Sequence, residues 1–272
     1  MKYKMIASDY DGTIYPFNAR EVLFYTKETI HRYIAAGGIF VLSTGRIFSS
    51  IRPEAERLGL SGDLICLQGS AVYSLDSGEL KASDCLSIAT ATSVLKFGED
   101  EGRICQMYYG KDYYTAKENN FTTLYAEYCN VQPQYTNCKL SEFVEQNGIR
   151  PFKIIILTEP NEASEMLRRT REHFKDSVDV SRSGPMYIEI VSPTSGKGNA
   201  VKRLADSYGI NIEDVAVFGD ALNDISMLKV AGLAVAVGNA MDEVKAVADI
   251  IAEDASDCGV AKIIERIISD TI

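Results

Sequence analysis

The sequence alternates short apolar runs with amphipathic stretches whose apolar positions recur every three to four residues. Runs of three to five apolar residues are typical of buried strands, and the longer stretches are typical of helices. In the amino-terminal part this pattern predicts strands at 5–7, 39–42 and 64–67, with helices at 20–36 and in the stretch ending at Leu58. The order strand, helix, strand, helix, strand indicates a parallel sheet with right-handed crossovers, and therefore an α/β fold with a doubly wound sheet.

The pattern changes in the middle of the chain. From about Ser83 to Met186, short strands and helical stretches alternate less regularly, and the α/β rhythm resumes at Tyr187. A chain of 272 residues can hold two modest domains. We interpret 1–82 and 187–272 as one core and 83–186 as an inserted α+β domain, the alternative being one continuous domain. The predicted insertion is rich in tyrosine: Tyr108, Tyr109, Tyr113, Tyr114, Tyr125, Tyr128 and Tyr135.

Composition restricts the possible partners. The formal net charge is -10 and the sequence pI is about 4.9, which argues against binding to nucleic acid or to an anionic membrane surface. The amino terminus lacks the apolar segment of a signal peptide, so a cytoplasmic location is expected. The six cysteines include no Cys-x-x-Cys pair, and the two histidines fall in helical patterns away from the acidic motifs. Carboxylates are therefore expected to perform any acid–base chemistry.

Asp9 and Asp11 follow the first apolar run, and Gly12 then allows a sharp turn. Two carboxylates two positions apart on a continuing strand share a face, at the sheet edge where open α/β folds bind ligands. Adjacent carboxylates repel, and one resists ionisation unless a cation lies between them. The pair therefore favours a hard divalent ion, with one acid as nucleophile and the other as proton carrier. The alternative is an ordinary turn, in which Asp and Gly are common.

Other polar residues occupy equivalent positions, at the carboxyl end of a predicted strand or the start of the next helix. Such positions converge on one crevice in a doubly wound sheet. Taken singly, three of them have a purely structural alternative: a helix N-cap for Thr44, a solvated lysine for Lys197, and an acid complementing a helix dipole for Asp224. The residues in question are Thr44, Lys197, Asp220, Asn223 and Asp224.

At this point the chain resembles the phosphatases of the haloacid dehalogenase superfamily, and within them the Cof-type group with a large inserted cap. The ordered set of motifs is specific, although each motif alone is not. The resemblance covers essentially the whole predicted core and rests on Asp9-Tyr10-Asp11-Gly12-Thr13, Ser43-Thr44-Gly45-Arg46, Lys197-Gly198 and Gly219-Asp220-Ala221-Leu222-Asn223-Asp224.

The resemblance implies roles for these residues. Asp9 would be the nucleophile that takes the phosphoryl group, and Asp11 would protonate the leaving alcohol and then deprotonate the attacking water. Mg²⁺ would be held by the carboxylates of Asp9 and Asp220 and by the backbone carbonyl of Asp11. Lys197 would also keep Asp9 ionised. The phosphate would be bound by Thr44, Gly45, Lys197 and Asn223, with Asp224 and Arg46 in supporting roles.

One departure concerns the loop after the third strand. Relatives usually carry Asn-Gly there, whereas this chain has Gln68-Gly69-Ser70. The longer amide is expected to alter contacts near the leaving group.

We therefore expect a Mg²⁺-dependent phosphomonoester hydrolase that acts on a small phosphorylated metabolite, as a monomer or homodimer. A sugar phosphate is the first expectation, followed by pyridoxal phosphate and by nucleotide or flavin-precursor phosphates. Substrate selection is expected in the cap. The alternatives are a phosphomutase or phosphotransferase on the same fold, or a non-catalytic regulator that binds a phosphometabolite. The retained Asp11 argues against the regulator, since a phosphate binder needs no proton carrier.

Overall fold

The computed structural model describes residues 1–182 and 185–272, except for the side chains of Tyr128 and Cys129. In chain order the described strands and helices are β1 (Met5–Ser8), α1 (Phe24–Ala35), β2 (Ile39–Ser43), α2 (Phe48–Arg57), β3 (Asp63–Cys66), β4 (Ala71–Ser74), β5 (Leu80–Ser83), α3 (Ile88–Asp100), β6 (Ile104–Tyr109), β7 (Asp112–Thr115), α4 (Asn120–Cys129), β8 (Gln134–Tyr135), α5 (Leu140–Asn147), β9 (Lys153–Leu157), α6 (Ala163–Phe174), β10 (Asp179–Arg182), β11 (Tyr187–Val191), α7 (Lys197–Ser207), β12 (Val215–Gly219), α8 (Ile225–Leu228), β13 (Leu233–Ala236), α9 (Asp242–Lys245), β14 (Ile250–Ile251) and α10 (Gly259–Ile268).

The chain divides into two compact units. The first comprises Met1–Gly45, Arg52–Lys81 and Gly196–Ile272, and the second comprises Arg46–Ile51 and Ala82–Ser195. Each unit is built around its own sheet.

An eight-stranded sheet with the order β14-β13-β12-β1-β2-β3-β4-β5 forms the centre of the first unit. From β14 to β3 neighbouring strands pair in parallel, whereas β3 pairs antiparallel with β4. The central strands β1 and β12 are buried at every residue, as expected for a parallel sheet covered on both faces. Their apolar runs were sufficient to predict the doubly wound α/β fold, and that prediction is confirmed.

The sheet of the second unit has six strands in the order β10-β11-β9-β6-β7-β8, and all but the β7–β8 pair are antiparallel. One face packs its apolar side chains into a core with α3, α5 and α6. Tyrosines meet within this unit: the Tyr108 ring stacks on Tyr113, and Tyr125 contacts the edges of Tyr113 and Tyr187. Tyr108, Tyr113 and Tyr125 thus pack against one another, whereas Tyr109 and Tyr135 are exposed and Tyr128 lies outside the described side chains.

The placement of Tyr187–Val191 corrects the sequence analysis, which assigned this strand to the core. It pairs antiparallel with β9 and β10 and therefore belongs to the second unit. The second unit accordingly runs from Ala82 to Ser195, and not from 83 to 186, and it also includes Arg46–Ile51. A short, largely apolar strand can occur in either sheet, and its partners, which are distant in sequence, decide which sheet it joins.

Among the described residues, no helix is both long and apolar enough to cross a membrane.

Candidate active site

Asp9 lies at the carboxyl edge of the eight-stranded sheet, directly after β1. Its backbone N–H donates to the carbonyl of Phe218 at 2.9 Å, which extends the pairing between β1 and β12 by one residue. The side chain is only 8% exposed. Because β1 lies between β12 and β2, this carboxylate is held at the middle of the edge where the parallel strands end.

The loop after Asp9 turns at Gly12, whose φ is +82°. A Cβ atom at this position would lie 2.5 Å from Oδ2 of Asp220, closer than any real contact. Glycine is therefore required both by the left-handed backbone and by the approach of this carboxylate. The Gly12 carbonyl accepts a hydrogen bond from Nδ2 of Asn239 at 2.8 Å, which fixes the turn to the segment after β13.

Lys197 is the first residue of α7, and its side chain is completely buried. Its Nζ atom donates to Oδ1 of Asp9 and to Oδ1 of Asp224, each at 2.6 Å. The alternative of a solvated surface lysine is therefore wrong. A buried ammonium between two carboxylates is strongly ion-paired, and these carboxylates raise the pKa of Lys197 well above its usual value despite the opposing effect of burial.

Asp220 and Asp224 come from the end of β12 and from the turn that follows it. Oδ1 of Asp220 accepts a hydrogen bond from Oγ1 of Thr13 at 2.6 Å. Oδ2 of Asp224 accepts from the backbone N–H groups of Asp220 and Ala221, both at 3.0 Å. Asp224 therefore uses one oxygen to hold Lys197 and the other to hold the turn that carries Asp220.

The charges in this cluster do not balance, since three carboxylates surround one ammonium. Carboxylate oxygens of Asp9, Asp220 and Asp224 lie within 4.8 Å of one another. Burial raises the pKa of Asp220 to about 6, and the Asp9 and Asp220 carboxyls lie close enough to share a hydrogen bond. Burial also raises the pKa of Asp9 well above its usual value, although Lys197 lowers it. Burial and the nearby carboxylates of Asp224 and Asp220 thus oppose the effect of Lys197 on the pKa of Asp9.

A divalent cation fits this arrangement. It would remove the repulsion that otherwise favours a shared proton, and oxygen ligands suit a hard ion such as Mg²⁺. Asp9 and Asp220 are the better placed side chains, because both oxygens of Asp224 already accept hydrogen bonds from protein donors. The side chain of Asp11 is not part of the cluster, which is compatible with the expected use of its backbone carbonyl.

Thr44 and Gly45 lie at the same sheet edge, after β2. Thr44 is buried, its N–H donates to the carbonyl of Ile65, and its carbonyl accepts from the N–H of Gln68, both at 2.9 Å. Since α2 begins only at Phe48, Thr44 is not the N-cap of that helix. The role of Thr44 and Gly45 in phosphate binding stays a prediction.

The Gln68 side chain lies beside Gly45, because a Cβ atom on Gly45 would be 3.5 Å from Cγ of Gln68. Leu67, Gln68 and Gly69 all have positive φ values, of 51°, 57° and 94°. Left-handed backbone is uncommon for residues other than glycine and asparagine, so glutamine is a less favourable choice here than the usual asparagine. Gln68, at which this chain departs from the family pattern, thus has an unfavourable backbone conformation and lies beside the loop that contains Thr44.

Asn223 and Arg46 complete the set of predicted site residues. Asn223 lies exposed on the turn after β12, and its contact with phosphate stays a prediction. Arg46 falls in the second compact unit, and its supporting role stays a prediction as well.

Two residues of the site were missed from the sequence, namely Thr13 as a donor to Asp220 and Asn239 as the brace of Gly12. Asn239 follows β13 at the same edge of the sheet, so the rule that selected Asp9 and Asp220 would also have selected it.

The chain is similar to known proteins along nearly its whole length. The family profile of haloacid dehalogenase-like hydrolases matches residues 6–264. Phosphatase YwpJ of Bacillus subtilis is 28% identical, over 97% of this chain and all of that protein. The 5-amino-6-(5-phospho-D-ribitylamino)uracil phosphatase YcsE of the same organism is 29% identical, over 97% and 95% of the two chains. A crystal structure from Thermotoga maritima superposes with a TM-score of 0.86 at 28% identity, over 97% of each chain.

Proposed function

Because the chain belongs to the haloacid dehalogenase-like hydrolases and is a phosphatase of that family, we propose that it hydrolyses phosphomonoesters of small metabolites with Mg²⁺ through an aspartyl-phosphate at Asp9. The observation that carries the proposal is the buried Lys197, which donates to Asp9 and Asp224 at 2.6 Å beside Asp220. This arrangement holds the Asp9 carboxylate at the end of a strand, with the Lys197 ammonium and the carboxylate of Asp220 both close to it.

The reaction has two steps. In the first, a carboxylate oxygen of Asp9 bonds to phosphorus while the bond from phosphorus to the alcohol oxygen breaks, and Asp11 gives its proton to that oxygen. In the second, Asp11 takes a proton from water, whose oxygen bonds to phosphorus and releases inorganic phosphate and the free Asp9 carboxylate. Lys197 would contribute positive charge to the transferring phosphoryl group throughout.

Asp9 and Asp220, with the backbone carbonyl of Asp11, would hold Mg²⁺. The ion would neutralise the excess negative charge, which otherwise repels an anionic substrate. Thr44, Gly45 and Asn223 are the proposed phosphate donors.

The substrate is the finer part of the proposal. The residues at the strand ends address phosphate and metal, which are common to all phosphomonoesters, so the alcohol must be recognised elsewhere. We propose that the second unit selects the alcohol and that a sugar phosphate is the first candidate. YcsE, whose named substrate carries a phosphorylated ribityl chain on a uracil ring, gives reason to include flavin-precursor phosphates. A cytoplasmic location and a monomer or homodimer complete the proposal.

The test is a hydrolysis screen with the purified protein and Mg²⁺ over a panel of sugar, nucleotide, pyridoxal and flavin-precursor phosphates. Release of inorganic phosphate by the wild type, and not by Asp9→Asn, supports the proposal. Transfer of the phosphoryl group to a second alcohol would indicate a phosphotransferase. A stable phospho-aspartate without turnover would indicate a regulator. Equal phosphate release by the wild type and Asp9→Asn would remove Asp9 from the mechanism.

The role of the second unit is tested with Tyr109→Ala and Tyr135→Ala, which remove exposed aromatic side chains of that unit. We expect at least one of them to change the ranking of kcat/KM among substrates. If both lower kcat/KM for all substrates by one factor while Gln68→Asn reorders them, selection of the alcohol belongs to the first unit.

A further inference from the structure

Phe17 is a large apolar side chain beside the acidic cluster, and it is 75% exposed. A Cβ atom placed on Gly12 would lie 2.7 Å from Cε2 of the Phe17 ring and 2.5 Å from Oδ2 of Asp220. The edge of the ring and the carboxylate oxygen therefore both lie close to one point above Gly12. An exposed phenyl ring so near a predicted metal ligand is in position to contact whatever is attached to a bound phosphate.

The loop that carries Phe17 is held by its own hydrogen bonds. The Tyr10 carbonyl accepts from the N–H of Tyr15 at 2.9 Å, and the two tyrosine rings stack with centroids 5.3 Å apart. The N–H of Ala19 donates to the carbonyl of Pro16 at 2.9 Å, and the Tyr15 hydroxyl donates to the carbonyl of Ala19 at 3.1 Å. Phe17 thus lies in a short turn that is already ordered by hydrogen bonds, and its ring is exposed to solvent. Little conformational freedom of this loop is therefore lost when a ligand binds.

Two further residues next to Asp220, Leu222 and Met241, also have exposed apolar side chains. Leu222 follows Asp220 by two residues, and the N–H of Met241 donates to the Asp220 carbonyl at 2.9 Å. These side chains are 53% and 44% exposed. A cluster of carboxylates with exposed apolar side chains nearby is suited to a ligand that has a charged group at one end and an apolar face at the other.

We propose that Phe17 forms one wall of the leaving-group site and favours phosphomonoesters whose alcohol carries a ring with a flat apolar face. The inference rests on the proposed function and deepens it. The phenyl face gains contact with the C–H face of a sugar ring or with the face of a heteroaromatic ring. An acyclic polyol has no such face and gains less. Phe17 thereby selects for the presence of a ring, while the second unit is left to select its identity.

The experiment compares Phe17→Ala with Phe24→Ala. Phe24 is a matched control because it is 77% exposed and lies at the start of α1, outside the proposed machinery. The substrates are glucose 6-phosphate, pyridoxal 5′-phosphate and glycerol 3-phosphate, all esters of primary alcohols. Phe17→Ala should lower the kcat/KM ratio of the better ring-bearing substrate to glycerol 3-phosphate about 3- to 10-fold. Phe17→Tyr should restore most of that ratio, and Phe24→Ala should leave it unchanged.

The inference is overturned if Phe17→Ala lowers all three kcat/KM values by one factor, since that result indicates damage to the loop, or if Phe24→Ala changes the ratio equally. A separate arm measures calorimetric binding of pyridoxal 5′-phosphate and glycerol 3-phosphate to the wild type and Phe17→Ala with Mg²⁺. If the wild type hydrolyses nothing, the proposed function fails. The affinity ratio of the two probes then still decides the role of Phe17: a 3- to 10-fold fall supports it, and an unchanged ratio refutes it.

Discussion

Lys197 in the first compact unit and Lys153 in the second are both buried and both ion-paired, but their surroundings differ. Lys153 lies on β9 and donates to Oε1 of Glu189 on the neighbouring strand β11 at 3.1 Å, and its Nζ is 4.7 Å from the centroid of the Tyr108 ring. One ammonium thus faces one carboxylate and an aromatic ring. Lys197 faces Asp9 and Asp224, with Asp220 close by, so its cluster keeps an excess of negative charge.

Burial and ion pairing are common to both lysines, so neither feature distinguishes the lysine of the proposed active site. Lys153 and Glu189 neutralise each other across one face of a sheet, so nothing further is needed to keep both charged. The cluster around Lys197 lies at strand ends and reaches neutrality only with a proton or a cation. Charge imbalance at the end of a strand is therefore the feature that indicates chemistry here.

The largest expected effect is the loss of turnover on removing the nucleophile. Asp9→Asn should lower kcat by more than about 10³-fold with the fold intact, because an amide is nearly isosteric with the carboxylate but does not attack phosphorus. Glu189→Gln, its counterpart in the second unit, should retain kcat within a few-fold. Steady-state kinetics with circular dichroism makes the comparison, and a similar loss in both variants would contradict it.

Removal of the metal should affect the carboxylate cluster around Lys197 and not the Lys153–Glu189 pair. Excess chelator should abolish activity, Mg²⁺ should restore it, and Ca²⁺ should inhibit, because calcium prefers a larger and looser shell of ligands. The measurement is phosphate release during titration with each ion. Undiminished activity in excess chelator would show that the excess charge at Asp9 and Asp220 is not balanced by a metal.

Substitution of Lys197 should mainly lower activity, whereas substitution of Lys153 should mainly lower stability. Lys197→Met should lower kcat/KM by roughly 10²- to 10³-fold, the scale for loss of one donor to transition-state charge. Lys153→Met should instead lower the free energy of unfolding by about 3–5 kcal/mol, because the buried Glu189 carboxylate loses its ion pair with Lys153. Adding Glu189→Leu to Lys153→Met should recover much of that stability in urea unfolding. A double variant no more stable than the single one would contradict the pairing.

The smallest effect concerns pH and the metal-free protein. The pKa of Asp220 is raised to about 6 in the folded state, against an ordinary value of 3.8. A raised carboxyl pKa means that the folded state takes up a proton more readily than the unfolded state. This group should therefore make the metal-free protein more stable as pH falls from about 6 towards 4. Urea unfolding at several pH values measures the trend, and Asp220→Asn should flatten it.

With Mg²⁺ present, a fall in pH should be unfavourable, because protons compete with the ion for the Asp220 carboxylate. The Mg²⁺ concentration that gives half-maximal activity should rise as pH falls below about 6. A constant value between pH 5 and 7 would be incompatible with a proton and a metal sharing this carboxylate.

Much of the fold was predictable because apolar runs in a parallel sheet are local signals. The runs that became β1, β2, β3 and β12 each contain enough buried residues to be recognised alone, and the order of elements then limits the topology. The strand Tyr187–Val191 was assigned to the wrong sheet because its partners are distant in sequence. Its Glu189, buried against Lys153, alternates with apolar residues as expected for an antiparallel strand with two different faces.

The sequence by itself determined which residues stand at strand ends, and thus which carboxylates could be gathered at one edge, because strand ends follow from local apolar patterns. Only the tertiary structure decided that Lys197 is shared between Asp9 and Asp224, that Thr13 is bonded to Asp220, and that the cluster keeps excess negative charge. These properties depend on distances and burial between segments far apart in the chain. The Phe17 ring is another such case, since its place beside Asp220 results from the close turn at Gly12.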